Sequence, residues 1–142
     1  MFYGTELLSL DAKGRLSLPV RHRHAFLGDG DKDLAITRHP HGCLMIYPRP
    51  AWEIFRDQVV KPLQDQWLKR LFLGSAMEVK LDATYRLLVS PELRAVAGLV
   101  REARLIGMDD HFELWDKPTH DAKEAAAMAS GETNRALQGI AF

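Results

Sequence analysis

The sequence predicts an α+β fold made of two tandem β-rich units with flanking helices, and a duplication carries that prediction. Residues 11–16 return 71 positions later as residues 82–87, and Arg23 and Arg94 follow the two copies at the same offset. Residues 44–50 are echoed by residues 112–118. Two matched landmarks at nearly constant separation indicate a tandem repeat, which constrains the architecture before any local pattern does.

Each element of the first half has a local reason. Asp11 supplies a side-chain acceptor and Gly14 a positive φ for a turn between two strands. Pro19 suits the first turn of a short helix, where a missing N–H costs nothing. The predicted strands are 5–10, 15–18, 33–38 and 43–47, the helix is 19–26, the break is 28–30 and a further turn is 39–42.

A helical stretch over residues 50–73 is predicted to link the halves. Apolar side chains recur there at steps of three or four, and Pro62 predicts two helices or a sharp kink. This face is expected to pack in the core and not to stack on nucleic-acid bases. Its members are Trp52, Phe55, Val59, Leu63, Trp67 and Leu71.

The second half repeats the plan. Strands are predicted at 77–81, 86–89, 103–108 and 112–115, with helices at 91–97 and from 118 to an interruption at Gly131. We divide the chain into a first half with its linker helices (1–74) and a second half with the C-terminal helix (75–142). Units of roughly 70 residues bury small cores, so the halves are expected to interlock.

Composition describes a globular chain without a basic excess. Among 142 residues, 46% are apolar, and 19 basic residues balance 19 acidic ones. Net charge alone therefore predicts no polyanionic partner. The charges are unevenly placed, because residues 11–24 are rich in cations and residues 109–132 are rich in carboxylates. Such a distribution is compatible with one face for an anionic partner and another for other subunits.

The N-terminal and cysteine patterns predict a soluble cytosolic protein without a membrane span. The single Cys43 excludes an intramolecular disulfide, suits a reducing compartment, and lies in an apolar run that predicts burial. No signal peptide is expected, and no apolar stretch approaches about 18 residues.

The turn at residues 11–15 is the best candidate for a binding site. Gly14 allows close approach of the backbone to a phosphate, Lys13 supplies a cation, and Arg15 is a forked donor suited to phosphate or guanine. Asp11 is expected to brace the turn. An alternative stays open, in which the Asp–Arg pair merely closes the hairpin. Two nearby cations, Arg21 and Arg23, are weaker candidates.

The second copy of the turn, at residues 82–86, is a weaker candidate for a binding site than the first. Thr84 and Tyr85 replace a lysine and a glycine, and tyrosine is unfavourable at positive φ. Asp82 again braces the turn. Arg86 is either structural or a contact to backbone phosphate.

No catalytic residue, cofactor or small-molecule substrate is predicted. The pair His39 and His41 could contribute to a zinc site, but zinc needs a third and usually a fourth ligand, and the nearby Cys43 is expected to be buried. The histidines, His22 and His24 included, are therefore interpreted as solvent-exposed turn residues, in preference to a small metal-dependent enzyme that uses His39, His41 and Asp110.

Five short segments resemble, in their order and spacing, the MraZ transcriptional regulators of bacteria, and the resemblance covers nearly the whole chain up to about residue 121. They are Met1-Phe2-x-Gly4, Leu10-Asp11-x-Lys13-Gly14-Arg15-Leu16-x-Leu18-Pro19-x-Arg21, Tyr47-Pro48-x-Pro50-x-Trp52-Glu53, Arg70-Leu71-Phe72-Leu73-Gly74 and Phe112-Glu113-Leu114-Trp115-Asp116.

The resemblance implies a tandem pair of SpoVT/AbrB-type swapped-hairpin domains with pseudo-twofold symmetry in one subunit, and subunits that close into a homo-oligomeric ring. It implies sequence-specific binding to short direct repeats in promoter DNA of the division and cell-wall gene cluster, including the protein's own gene, and a nucleoid-associated location. The DNA-contacting turn maps onto Asp11, Lys13, Gly14 and Arg15, and the related motif onto Asp82 and Arg86.

A ring could bind DNA without a net positive charge, because several identical turns on several direct repeats gain affinity by multivalency. Binding is then expected to require more than one repeat. The competing interpretation is a ring-forming scaffold without DNA binding, which meets a protein partner through its acidic C-terminal region.

Overall fold

The computed structural model describes residues 1–26 and 32–142, so the predicted break at 28–30 lies outside the described residues. The described strands are β1 (Thr5–Ser9), β2 (Arg15–Ser17), β3 (Asp33–Arg38), β4 (Leu44–Pro48), β5 (Met77–Lys80), β6 (Arg86–Leu88), β7 (Glu102–Gly107) and β8 (Phe112–Asp116). The α-helices are α1 (Val20–Arg23), α2 (Arg49–Phe55), α3 (Gln66–Gly74), α4 (Pro91–Val96), α5 (Lys117–Met128) and α6 (Gly131–Leu137).

The predicted elements are confirmed with ends that differ by a few residues. The expected break near Pro62 is present, because α2 runs into a π-helical turn (Arg56–Val60) and α3 begins only at Gln66. Asp65 caps α3, since its carboxylate accepts the backbone N–H groups of Trp67 and Leu68. The helix predicted to be interrupted at Gly131 is broken just before that residue, because α5 ends at Met128 and α6 begins at Gly131.

The two halves exchange strands. Six strands form one sheet in the order β1-β7-β8-β4-β3-β5. The first strand of the first half, β1, pairs with β7 of the second half, and its counterpart β5 pairs with β3 of the first half. At the centre β4 pairs antiparallel with β8, and the equivalent residues Met45 and Glu113 stand opposite each other. The sheet therefore has pseudo-twofold symmetry, as the repeat predicts.

A second, two-stranded sheet crosses the same pseudo-twofold axis, and we call it the β2–β6 ribbon. Leu16 of β2 stands opposite Leu87 of β6, its equivalent in the repeat. Beyond the ladder, the N–H of Leu18 donates to the Tyr85 carbonyl (2.9 Å), and the N–H of Val89 donates to the Gly14 carbonyl (3.0 Å). Each half thus supplies one strand of the ribbon.

One hydrophobic core fills the space between the ribbon and the sheet. Leu16 and Leu87 from the ribbon join Ile36, Leu105 and Leu114 from the sheet in one buried cluster. This shared core confirms that the halves interlock. The division between residues 74 and 75 stays a prediction about sequence units, since the two segments do not have separate cores.

The linker helices cover the opposite face of the sheet. Trp52 of α2 is buried there against Tyr47, and the Thr37 hydroxyl donates to the Phe72 carbonyl of α3 (2.6 Å). Two members of the predicted packing face depart from expectation, because Val59 is 49% exposed and Trp67, which lies under the Arg70 guanidinium, is 77% exposed. Within the described residues, no helix is long and apolar enough to span a membrane.

Candidate nucleic-acid interface

The first turn (residues 11–15) is held by the Asp11 carboxylate. Its Oδ1 accepts the backbone N–H groups of Lys13 (2.9 Å) and Arg15 (2.8 Å), and its Oδ2 accepts Nε of Arg15 (2.7 Å). The backbone closes with Asp11 N–H to the Arg15 carbonyl and Gly14 N–H to the Asp11 carbonyl, both 3.0 Å. The Arg15 N–H is the main reason that the pKa of Asp11 is lowered.

The second turn (residues 82–86) repeats this network. Oδ1 of Asp82 accepts the N–H groups of Thr84 and Arg86, both at 2.9 Å, and Oδ2 accepts Nε of Arg86 (2.8 Å). The Thr84 hydroxyl adds one further bond to Oδ1 (2.9 Å). The backbone N–H of Arg86 is the largest cause that holds the pKa of Asp82 far below its ordinary value.

Tyr85 adopts a left-handed backbone conformation, although a positive φ is unfavourable for tyrosine. Its φ is 60°, and the equivalent Gly14 has a φ of 83°. Because the Asp82 carboxylate and the ribbon bond to Leu18 hold this turn, the left-handed residue does not have to be glycine. The loss of glycine in the second copy therefore leaves the turn geometry intact.

The cations of the first turn face solvent to different degrees. Lys13 is exposed, and in the part of the chain that the structure describes it forms no ion pair. The Arg15 side chain is 32% exposed and, within residues 1–26 and 32–142, bonds through Nε alone, to Asp11, so both Nη atoms are left to donate elsewhere. The Arg86 side chain, 38% exposed, is held in the same way by Asp82. Bracing the turn and donating to a ligand are thus compatible for both arginines.

Arg21 lies away from the two turns. Its Nε pairs with the Glu6 carboxylate at 2.6 Å, near the start of β1 and Gly4. The structure therefore separates Arg21 from the residues with which the sequence grouped it.

Arg23 lies at the turn of the opposite half. Its Nε donates to the Leu18 carbonyl (2.9 Å), and its guanidinium stands 5.3 Å from the ring centroid of Tyr85. The sequence placed Arg23 beside the first turn because it follows that turn in the chain. Strand exchange brings it to the second.

Two cations at the turns were missing from the predicted site. Arg94 donates its Nε to the Val89 carbonyl (3.0 Å) and packs against Gly14 of the first turn. Lys32 stands 4.4 Å from the ring centroid of Tyr85 at the second turn. The repeat did contain a signal for Arg94, which is the counterpart of Arg23. Nothing local indicated Lys32, because it precedes β3 and comes near Tyr85 only through the pairing of β3 with β5.

The two turns are therefore equally cationic. The first turn contains Lys13 and Arg15 and has Arg94 against Gly14. The second contains Arg86 and has Arg23 and Lys32 near the Tyr85 ring. Gly14 and Tyr85 stand four residues apart along the ribbon, which corresponds to about 13 Å. That separation is close to the width of the B-DNA major groove, about 12 Å, into which a two-stranded ribbon fits.

The histidines and the cysteine are placed differently from one another. His22 is buried between the rings of Phe2 and Phe112, contrary to the expectation that the histidines are solvent-exposed turn residues. The His39 and His41 rings lie 4.6 Å apart, but within residues 1–26 and 32–142 no three His, Cys, Asp or Glu side chains are grouped to hold a metal. Cys43 is buried as predicted, which raises the pKa of its thiol to about 12.

Comparison with known proteins matches both halves of the chain. A family model described as "MraZ protein, putative antitoxin-like" matches residues 1–67 and again residues 72–138. The transcriptional regulator MraZ of Variovorax paradoxus (strain S110) is 56% identical across the full length of both chains. The protein of the same name from Acidovorax sp. (strain JS42) is 59% identical over 90% of this chain and 91% of its own. That from Burkholderia cenocepacia (strain HI2424) is 51% identical across both full lengths. The chain belongs to the MraZ family.

Proposed function

We propose that this protein is a cytoplasmic, nucleoid-associated transcriptional regulator without enzymatic activity. It binds short direct repeats in promoter DNA of the division and cell-wall gene cluster, including the region upstream of its own gene. Relatives named transcriptional regulator MraZ at 51–59% identity support a regulatory role.

The observation that carries the proposal is the pair of Asp–Arg turns at the two ends of the β2–β6 ribbon, which share the same three aspartate bonds. Each turn fixes one arginine by its Nε and leaves the Nη atoms to donate. Such a preorganised guanidinium loses little side-chain entropy on binding, and its fork fits phosphate oxygens or the O6 and N7 of guanine. Arg15 and Arg86 are thus the candidates for direct contact, with Lys13 on backbone phosphate.

The same proposal includes assembly of several copies into a ring. Large apolar side chains stay exposed on the single chain, among them Ile54, Trp67, Met77, Val96 and Val100. Surfaces of this kind are buried when subunits associate. A ring would present its turns to successive repeats, and multivalency would compensate for the few cations that each turn offers.

Binding to the upstream region of the protein's own gene tests the proposal. Fluorescence anisotropy would compare the wild type with Lys13→Ala, Arg15→Ala and Arg15→Lys. Lys13→Ala should weaken binding to cognate and scrambled fragments alike and reduce the salt dependence, because it removes a phosphate contact and breaks no ion pair among the described residues. Arg15→Ala should abolish the preference for the cognate fragment, and Arg15→Lys should not restore it, because an ammonium cannot replace the fork.

Two controls make the result interpretable. Thermal unfolding of Arg15→Ala should stay cooperative, since Asp11 keeps its two backbone bonds. A probe with one repeat should bind far more weakly than one with several. Unchanged binding by Arg15→Ala would show that the Asp–Arg pair only closes the hairpin. Absence of any shift on promoter DNA, with a protein partner that co-purifies in high salt, would favour the scaffold interpretation through the acidic C-terminal region.

A further inference from the structure

Each turn is covered by an arginine from the other half of the chain. A Cβ built on Gly14 would lie 2.5 Å from Nε and 2.6 Å from Cζ of Arg94, so the guanidinium rests directly on the turn backbone. The contact is fixed from both sides, because Nε of Arg94 donates to the Val89 carbonyl and the Val89 N–H donates to the Gly14 carbonyl.

This guanidinium has no carboxylate partner among residues 1–26 and 32–142. Its single protein bond uses Nε, so the Nη atoms stay available next to the turn. Lys13 precedes Gly14 and is likewise unpaired within the same ranges. The turn at Gly14 therefore has one such cation next to it in the chain and another, from the other half, against its backbone, whereas Asp11 is already paired with Arg15.

The second turn shows the reciprocal arrangement. Arg23 of the first half donates its Nε to the Leu18 carbonyl and lies over the Tyr85 ring, as Arg94 does at Val89 and Gly14. The second turn has Thr84 where the first has Lys13, but Lys32, also from the first half, places its ammonium group closer to the Tyr85 ring than the Arg23 guanidinium. No ion pair of Arg23 or Lys32 is found in the described parts of the chain.

We propose that each turn contains a composite binding site for a DNA backbone phosphate, formed by Lys13 with Arg94 at Gly14 and by Lys32 with Arg23 at Tyr85. The inference rests on the proposed function and extends it to residues outside the Asp–Arg motif. An anion is the matching ligand, because ammonium and guanidinium groups only donate hydrogen bonds. Within residues 1–26 and 32–142, the turn carboxylates of Asp11 and Asp82 already pair with Arg15 and Arg86. Arg15 and Arg86 then remain available for base edges.

The composite site gives the strand exchange a functional consequence. The first turn needs Arg94 from the second half, and the second turn needs Arg23 from the first. A single half in isolation would present its Asp–Arg turn without the covering arginine.

The test uses the full-length protein, a fragment of its own upstream region and a scrambled fragment of equal length. Arg94→Gln should weaken binding to both fragments by the same factor, about five- to tenfold, and should lower the slope of log K against log salt by about 0.9 for each engaged turn. Arg94→Lys should recover most of the slope because it keeps the charge. Arg135→Gln removes one cation from α6 and should leave affinity and slope unchanged.

The outcomes separate this inference from the proposed function. If Lys13→Ala and Arg15→Ala lose binding while Arg94→Gln keeps the wild-type slope, the composite site is wrong and the regulator stands. If Arg94→Gln binds less but with an unchanged slope and a lower unfolding temperature, Arg94 only braces Val89, which also overturns the inference. If the wild type binds neither fragment, the proposed function itself is wrong.

Discussion

Gly14 and Tyr85 occupy the same turn position in the two halves and share a left-handed backbone, although only one of them carries a side chain. At Gly14 the place of a side chain is filled by the Arg94 guanidinium, and at Tyr85 the equivalent Arg23 lies over the aromatic ring. The residue at this position therefore sets how closely the arginine of the opposite half approaches the turn.

Gly14→Ala should lower both stability and DNA affinity. The left-handed conformation costs a non-glycine residue about 1–2 kcal/mol. In addition, the new methyl group would displace the Arg94 guanidinium and break its bond to the Val89 carbonyl. We expect a lower midpoint in urea unfolding and weaker binding to promoter DNA.

Gly74→Ala is the matched control for this substitution. Gly74 ends α3 without a positive φ, and among the described residues no atom beyond its chain neighbours and its own helix backbone lies within 4 Å of a Cβ built on it. Alanine is a better helix former than glycine, so the control should be neutral or slightly stabilising. Equal urea unfolding midpoints for Gly14→Ala and Gly74→Ala would mean that a side chain at position 14 does not disturb the Arg94 guanidinium.

The features that could be predicted from the sequence are those that depend on residues close together in the chain. The Asp11 turn, the break at Pro62 and the two hairpins around residues 39–42 and 109–111 are local, and all are present. The choice of pairing partner is not local, because β1 pairs with a strand about a hundred residues away to complete a core that neither half could bury alone. For that reason the sequence assigned Arg23 to the wrong turn and missed Arg94 and Lys32.

Leu16→Ala and Leu87→Ala should each destabilise the protein by about 2–5 kcal/mol. These side chains face each other across the ribbon, with exposures of only 2% and 3%, so truncation leaves a cavity in the shared core. Because both side chains line one space, their effects should not be additive: the unfolding free energy lost in the double variant should differ from the sum of the two single losses. The free energy of unfolding in urea would be measured for all three variants.

Leu88→Ala provides the control within the same strand. Leu88 is 52% exposed and points to the opposite side of the ribbon, so its truncation should change the free energy of unfolding by less than about 0.5 kcal/mol. A loss as large as that of Leu87→Ala would mean that the outer face of the ribbon is also covered in solution.

Trp67→Glu should reduce assembly without unfolding the subunit. Trp67 is 77% exposed, and within residues 1–26 and 32–142 the Arg70 guanidinium is the only group stacked on its ring, so folding of the single chain does not depend on it. A charge at a buried subunit contact is costly, whereas Trp67→Phe keeps the contact apolar. Sedimentation velocity should show a smaller species for Trp67→Glu and the wild-type species for Trp67→Phe. Identical sedimentation of all three proteins would exclude this side chain from the contact between copies.

Stability should fall as the pH is lowered from 7.5 to 5.5, and His22 should account for part of that loss. Burial against Phe2 and Phe112 lowers the pKa of His22, with Arg21 acting in the same direction and Glu6 against it. At a pH near or below the histidine pKa of the unfolded chain, about 6.5, the unfolded chain binds a proton more readily than the folded chain does. The stabilisation is therefore complete above that pH and declines below it.

His39, whose pKa is also lowered mainly by burial, contributes with the same sign. Urea unfolding at the two pH values should therefore show a smaller loss of unfolding free energy for His22→Phe than for the wild type. A loss in His22→Phe equal to that of the wild type would mean that the His22 ring takes up its proton as readily in the folded protein as in the unfolded chain.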